Sequence, residues 1–381
     1  MILSRFDVYQ FMQEYWQQKP CVIRNFVEDF NDPIDEHDLA GLAMEAEIDS
    51  RIVTLNKQQW QVNQGPFTSF DKHCVGAWTL LVQSVDRYVD EVNLLTRLVD
   101  FIPNWRLDDV MVSYSVPGAG VGPHIDEYDV FIVQGKGKRQ WKVGPRGDYE
   151  SYLPHPLLKQ ISDFSPIIDE ILEPGDAIYI PPHYPHDGTA IDASINYSIG
   201  FRAPTGAELL VGMAEELNAE SSQAPRFVST MTTPCSLSAY TDQAALQAMK
   251  SLILESLSDP AVDLALLQYM SRQDLPVEPL DSEDAYQAGD LELAYEQHAV
   301  VRAVAGLKPL YADYIDQNLH VFIDGTHYQC HPSFKEVLIA LTHSNGYSLI
   351  ETEFDDEAQQ QAWQQLLLTL MNQGYYYLSD D

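Results

Sequence analysis

His124, Asp126 and His186 are the residues of this chain whose types and spacing point most directly to chemistry. Two imidazoles and one carboxylate can occupy one face of an iron(II) octahedron, leaving the opposite face open for a chelating co-substrate and dioxygen. His124 and Asp126 lie in Val121-Gly-Pro-His-Ile-Asp-Glu-Tyr-Asp-Val-Phe131, and His186 lies near the end of Glu173-Pro-Gly-Asp-Ala-Ile-Tyr-Ile-Pro-Pro-His-Tyr-Pro-His-Asp-Gly188. On a strand, residues i and i+2 point to the same side of the sheet, so a His-x-Asp pair there presents both ligands together. The pair alone is a weak signal that arises often by chance. Its surroundings sharpen it: an apolar run, Asp129–Gln134, then a Gly-rich turn, then Arg139–Val143, then a Pro-Gly-Asp turn into Ala177–Ile180. His183 competes with His186 for the third ligand position. His186 is favoured because the turn after Pro181 and Pro182 must complete before a side chain can point back at a metal.

Four further residues have chemistry that suits such a site. Arg139 opens a strand, and its guanidinium can grip a distal carboxylate with two hydrogen bonds. It can equally belong to the basic surface run Lys136–Arg139. Ser113 and Ser115 share one strand face, where either can donate to the same carboxylate or simply fill small core space. Asn196 lies ten residues past His186; its amide can bond the keto-acid end of a co-substrate or satisfy backbone groups.

The elements that must position these groups can be read from local pattern. From Asp109 to Phe201, short apolar runs separated by Pro, Gly and Asp predict a compact barrel or sandwich, with 145–172 as an insertion covering one end. Upstream, a helix around Phe6–Trp16 is stopped by Lys19-Pro20 and followed by a strand at Cys21–Phe26. A second helical region is expected over Trp78–Phe101. After Pro204 the pattern turns helical, over Ala207–Leu217, Leu237–Leu257 and Asp263–Ser271. An acidic, Pro-containing connection follows at 274–290. The last eighty or so residues predict a hairpin around Asp324-Gly325, a helix capped by Asp355 and closed by Gly374, and a final strand at Tyr375–Leu378. This arrangement resembles a winged helix.

Composition bounds the partners. The 381-residue chain is 45% apolar, enough for a substantial core, yet carries a formal charge of −35. Residues 1–205 hold 30 acids against 16 Lys and Arg, and the remainder 27 against 6. Such a field repels nucleic acid and anionic membranes and attracts cationic partners. Four cysteines without a Cys-x-x-Cys pair fit neither a disulfide scaffold nor a zinc site and suit a reducing cytoplasm. The N-terminus shows no signal-peptide pattern, and no stretch has the length and apolarity of a membrane span.

Several segments together resemble the JmjC-type iron(II)- and 2-oxoglutarate-dependent oxygenases, and among them the bacterial ribosomal oxygenases, arginine hydroxylases of large-subunit ribosomal protein sixteen. They are Tyr15–Pro20, Ser115–Phe131, Arg139–Gly144, Tyr179–Gly188 and Asn196–Pro204. The resemblance covers essentially the whole chain and is most specific over 109–204. It implies a mixed α+β chain: a double-stranded β-helix oxygenase domain at 1–205, a helical dimerisation region at 206–272, and an acidic linker with a winged-helix-like domain at 273–381. It also implies iron bound by His124, Asp126 and His186, 2-oxoglutarate held by Arg139 and Ser115 with Asn196 near the metal, and dioxygen as oxidant. The implied reaction is hydroxylation at Cβ of an arginine in a basic ribosomal protein, carried out by a homodimer. The family usually has Gly where this chain has His183. Lysine demethylation by the same iron chemistry, or a winged-helix regulator with a cupin sensor, are the rival readings. The few cations after residue 205 argue against the regulator, since phosphate contacts need them.

Overall fold

The short apolar runs of the first half fold into strands, and the Pro, Gly and Asp between them form the turns. The computed structural model describes residues 2–3, 5–219, 226–228, 243–273, 275–343, 346–349, 354 and 356–379. The chain divides between Ala203 and Pro204 into two units.

The first unit runs β1 (Ile2–Leu3), α1 (Val8–Glu14), β2 (Cys21–Ile23), α2 (Glu36–Leu42), β3 (Ser50–Asn56), β4 (Gln59–Gln64), β5 (Ala77–Val82), α3 (Asp90–Asn93) and β6 (Leu107–Ser115). It continues β7 (Val130–Gln134), β8 (Arg139–Val143), β9 (Ser151–His155), β10 (Leu158–Ile161), β11 (Ile168–Leu172), β12 (Ala177–Ile180), β13 (His186–Ala190) and β14 (Ser194–Phe201). Nine strands form one sheet in the order β1-β2-β12-β7-β14-β6-β5-β3-β4, and β11-β8-β13 form a smaller one. Val130, Ile132, Trp141, Val143, Leu172, Ile178 and Ile180 pack together as the apolar layer between these sheets. The alternate residues of β7 and β12, Phe131, Val133 and Tyr179, belong to a second core with Phe11 and Leu39 of the helices. The large sheet is therefore apolar on both faces, which is why β7 and β12 read as unbroken apolar runs. The tight β7–β8 turn needs glycine at 137: its φ is +76°, and a Cβ there would lie 2.3 Å from the Ala193 carbonyl oxygen.

Two sequence expectations change here, and one hairpin was not foreseen. Trp78–Val82 is the strand β5, not part of a helix, and only short helical turns follow it before Phe101. Leu80 and Leu81 are buried in different clusters on opposite faces, so the two-residue alternation that marks a half-exposed strand is missing. The β3–β4 hairpin carries no Asn-Gly signal, because Lys57 and Gln58 supply its two positive-φ positions. The segment 145–172, expected as an insertion, is built into the fold. It contributes the β9–β10 hairpin and β11, an edge of the smaller sheet.

One buried charge braces the strand that follows the His-x-Asp segment. Asp129 is fully buried and accepts from Arg106 Nη2 at 2.9 Å, Gln17 Nε2 at 3.1 Å and the Tyr179 hydroxyl.

The second unit holds α4 (Gly206–Ala219), α5 (Gln243–Ser256), α6 (Pro260–Ser271), α7 (Ala288–Glu296), β15 (Val300–Ala303), β16 (Leu310–Ala312), β17 (Leu319–Ile323) and β18 (Thr326–Cys330). It closes with α8 (Lys335–His343), β19 (Tyr347–Ser348), α9 (Glu357–Asn372) and β20 (Tyr376–Ser379). Phe334, Leu338, Trp363 and Leu367 centre its core. The Asp324-Gly325 turn joins β17 to β18, both residues at positive φ. Asp355 lies outside the described residues, and the neighbouring Asp356 caps α9 by accepting from Ala358 N–H at 2.9 Å. Gly374 ends α9 at φ +79°. Of the helix expected over Leu237–Leu257, positions 237–242 lie outside the described residues, as does Cys235. Among the described residues no helix is long and apolar enough to cross a membrane.

Replacing Asp129 with Ala strands the Arg106 charge and two further donors. Such a loss is expected to lower unfolding stability by about 3–5 kcal/mol, read from thermal or urea denaturation.

Candidate metal centre and co-substrate pocket

His124 meets His186 through a single antiparallel bridge. His124 N–H donates to the His186 carbonyl at 3.0 Å, and His186 N–H donates to that of His124 at 2.9 Å. Asp126 follows in a loop, where its carbonyl accepts from His183 N–H at 2.9 Å. The His-x-Asp pair therefore does not lie on a continuous strand, contrary to the sequence expectation. Pro123, just before His124, has no amide hydrogen for a ladder, and the backbone bonds to residues 183 and 186 hold the segment instead.

The three side chains converge. His124 Nδ1 lies 2.9 Å from the Gly122 carbonyl and His186 Nδ1 lies 3.0 Å from that of Tyr184. With Nδ1–H donating to these carbonyls, each Nε2 presents its lone pair to the centre. His186 Nε2 stands 3.5 Å and His124 Nε2 4.0 Å from Asp126 Oδ2. The three ligand atoms lie within 4.8 Å of one another, the one such group among the described residues. Burial raises the Asp126 pKa, but the His186 hydrogen bond and both imidazoles outweigh it and hold the carboxyl at about 2. His124 is pushed down to about 4 by burial and by its neighbour His186. His186 is also disfavoured as a cation by burial, yet Asp126 wins and its pKa rises. A proton on the His186–Asp126 pair and a divalent cation would therefore compete for the same position.

His183 is outside this group. It is exposed, its Nδ1 lies 3.2 Å from Glu127 Oε2, and its φ is +66°. That left-handed conformation favours glycine, a physical reason for the glycine that the resemblance implies there.

The second half of the site is a buried cation. Arg139 is 4% exposed at the head of β8. It donates to Ser115 Oγ at 2.7 Å, Ser194 Oγ at 3.2 Å and Ser113 Oγ at 3.3 Å. Its Nε has no partner, and burial alone pulls its pKa down to about 9. Three hydroxyls solvate this charge without neutralising it. Such a site fits an anion with a second anchor elsewhere, as a dicarboxylate chelating a metal would have. Strand pairing places the two anchors at opposite ends of the same ladder: Arg139 opposes Ala190 and Val143 opposes His186. That is a backbone offset of about 13 Å at ~3.3 Å per residue, shortened by the length of the arginine side chain.

Asn196 Nδ2 donates to Gln134 Oε1 at 2.9 Å, leaving its buried Oδ1 without a partner. Trp141 lies between Arg139 and Val143 on the inward face of β8. Its ring rests on Gly188, where a Cβ would come within 2.8 Å of three ring atoms. The sequence reading missed Ser194, Gln134 and Trp141. The signal for Ser194 was available only through register, since it stands opposite Ser115.

The two-sheet fold, with its His-Asp-His group and its buried arginine, matches the JmjC class of oxygenase fold. Residues 94–209 match the JmjC domain family, and 254–377 match the ROXA-like winged helix. The chain is 36% identical over 374 residues to the Escherichia coli ribosomal protein uL16 3-hydroxylase, covering 96% of both proteins. The X-ray structure of E. coli YcfD superposes with a TM-score of 0.89 at 34% identity, covering 99% of both chains. A second structure of this E. coli ribosomal oxygenase, in complex with cobalt and 2-oxoglutarate, superposes at 0.86, also with 34% identity and 99% of both chains. The chain belongs to the ribosomal oxygenase family.

Single substitutions separate the two anchors. His124→Ala, Asp126→Ala and His186→Ala are each expected to abolish tight Mn(II) or Co(II) binding, read by calorimetry, while His183→Ala retains it. Arg139→Ala is expected to keep the metal but weaken 2-oxoglutarate by roughly 2–5 kcal/mol, as for a lost buried charge pair. Because the metal must displace the proton on His186, affinity should fall as pH drops through that raised pKa, with loss setting in above the ordinary histidine value near 6.5.

Proposed function

We propose that this chain is an iron(II)- and 2-oxoglutarate-dependent hydroxylase of ribosomal protein uL16, acting at Cβ of an arginine. The observation that carries the co-substrate is Arg139, buried without an anion beside a His-Asp-His group. His124, Asp126 and His186 would hold the iron. Arg139 and Ser115, with Ser113 and Ser194, would hold the distal carboxylate, and Asn196 Oδ1 and Nδ2 would lie alongside. When bound, iron with 2-oxoglutarate and dioxygen supplies the oxidising power to hydroxylate an unactivated carbon, with succinate and CO2 as co-products. The protein's share is orientation and exclusion of water. The hydroxyls and the Arg139 fork fix one end of the co-substrate, and the layer around Ile132, Trp141 and Ile180 keeps the pocket dry.

The substrate reading rests on the uL16 relative and on charge. Tyr128, two residues past Asp126, keeps its phenol protonated well above the usual range through burial and then the carboxylates of Asp126, Asp109 and Asp108. A neutral, partly exposed ring with three carboxylates acting on it suits an arginine side chain reaching past the metal. The overall charge of −35 favours fast association with a cationic protein, an effect that salt screens.

Residues 1–205 would form the oxygenase domain, 206–272 the dimerisation region and 273–381 the linker and winged helix. A homodimer is supported by Leu246, Met249, Ile253 and Leu254 of α5 and by Leu210 and Val211 of α4, all exposed in one chain. The three cysteines among the described residues are free, in keeping with a cytoplasmic setting.

Incubating uL16 with the protein, iron(II), ascorbate and 2-oxoglutarate should add one oxygen to an arginine, located by tandem mass spectrometry. Loss of a methyl group from lysine, or 2-oxoglutarate turnover unmoved by any basic ribosomal protein, would contradict the substrate. Light scattering should report a dimer at micromolar concentration.

A further inference from the structure

Arg51 has no role in the site as described so far. It lies on β3, outside the barrel proper, in a row of residues paired strand to strand across the large sheet. Gln134 opposes Asn196, Asn196 opposes Ser113, Ser113 opposes Leu81, and Leu81 opposes Arg51. Directly opposed residues point to the same side of a sheet. Arg51 therefore shares the face that carries the co-substrate pocket, two strands beyond Ser113.

Its neighbours on this face are apolar and do not balance its charge. Val53, Val62 and Leu81 form a buried apolar cluster on this part of the sheet, joined by Val121 from the segment leading to His124. Arg51 is half-buried, makes no ion pair among the described residues, and its Nε is buried without a hydrogen-bond partner. It is close enough for its charge to bear on His124, Asp126 and Tyr128. Of these groups Asp126 is the carboxylate, and it faces His186 and the metal position. A guanidinium left this way is available to an oxygen acceptor from outside the chain.

We propose that Arg51 grips the main chain of the substrate polypeptide, donating to carbonyl oxygens beside the residue that is hydroxylated. This rests on the reading of the protein as a Cβ hydroxylase. Cβ is one bond from the main chain, so a substrate whose Cβ faces the metal must bring its own backbone to the mouth of the site. Carboxylates near Tyr128 can hold a distant guanidinium head, but they cannot fix the backbone end. A fork of N–H donors on β3 fixes that end without depending on substrate sequence. The co-substrate is a poorer occupant, because its distal carboxylate already has Arg139 and three hydroxyls.

The test uses the full chain and recombinant uL16. KM and kcat for uL16 are measured at saturating 2-oxoglutarate for the unaltered protein, Arg51→Leu, Arg51→Gln and Arg51→Lys. The 2-oxoglutarate Kd is measured separately by calorimetry on Mn(II)-loaded protein. The expected result is a KM for uL16 raised at least about tenfold in Arg51→Leu and Arg51→Gln, the scale of a charge-assisted hydrogen bond. Arg51→Lys should recover most of it, and 2-oxoglutarate affinity should stay within about twofold, since no contact to the co-substrate is lost. Arg51→Gln keeps a polar head of similar reach should Arg51→Leu fold poorly. An unchanged KM in a folded variant, or a loss that appears in 2-oxoglutarate affinity instead, overturns the inference. Absence of turnover on uL16 by the unaltered protein would sink the substrate reading and this inference with it; normal turnover with unchanged KM in the variants sinks this inference alone.

Discussion

The site depends on a guanidinium that the protein buries and does not neutralise. Removing a charge from water costs several kcal/mol even after relaxation, and three serine hydroxyls recover only part of that for Arg139. The remainder would be recovered by an entering anion. The same imbalance would make the pocket selective, because an anion without a second anchor at the metal would gain fewer contacts. Burial pulls the Arg139 pKa down to about 9, yet at neutral pH the side chain stays charged and ready.

The rest of the barrel can be understood as holding that charge in register with the metal ligands. β8 carries Arg139 and pairs with β13, whose first residue is His186. β13 in turn reaches His124 through one bridge. The two anchors are thus linked by backbone hydrogen bonds, with Trp141 packed on Gly188 between them. A slip of one residue in the β8–β13 pairing would turn the side chains of one strand, and with them either Arg139 or His186, out of the pocket. The buried Asp129 group and the two apolar layers on either side of the large sheet oppose such slippage.

Much of the chemistry was legible in the chain. His124, Asp126, His186 and Arg139 are residue types rarely placed among apolar strands without a reason, and the Gly and Pro turns delimit those strands. What escaped reading depends on contacts distant in sequence. Ser194 looks like any strand serine until β14 is laid beside β6. β5 looked helical because both of its faces are buried, and the β3–β4 hairpin turns on Lys57 and Gln58 with no Asn or Gly to announce it. Arg51 belongs to the same group: its meaning comes from a row across four pairings, none visible in local pattern. The cap of α9 was misplaced by one residue, since Asp355 and Asp356 are chemically equivalent candidates.

The central claim is that the His-Asp-His group and Arg139 together form one pocket for a metal-chelating 2-oxo dicarboxylate. Anaerobic visible spectroscopy of the iron(II)-loaded protein tests this most directly, because a 2-oxo acid that chelates iron(II) through its keto and carboxylate oxygens produces a metal-to-ligand charge-transfer band. Titration with 2-oxoglutarate should produce this band saturably in the unaltered protein. In Arg139→Ala the same band should need far more 2-oxoglutarate. No band at any concentration, or identical titrations for the two proteins, would contradict the account.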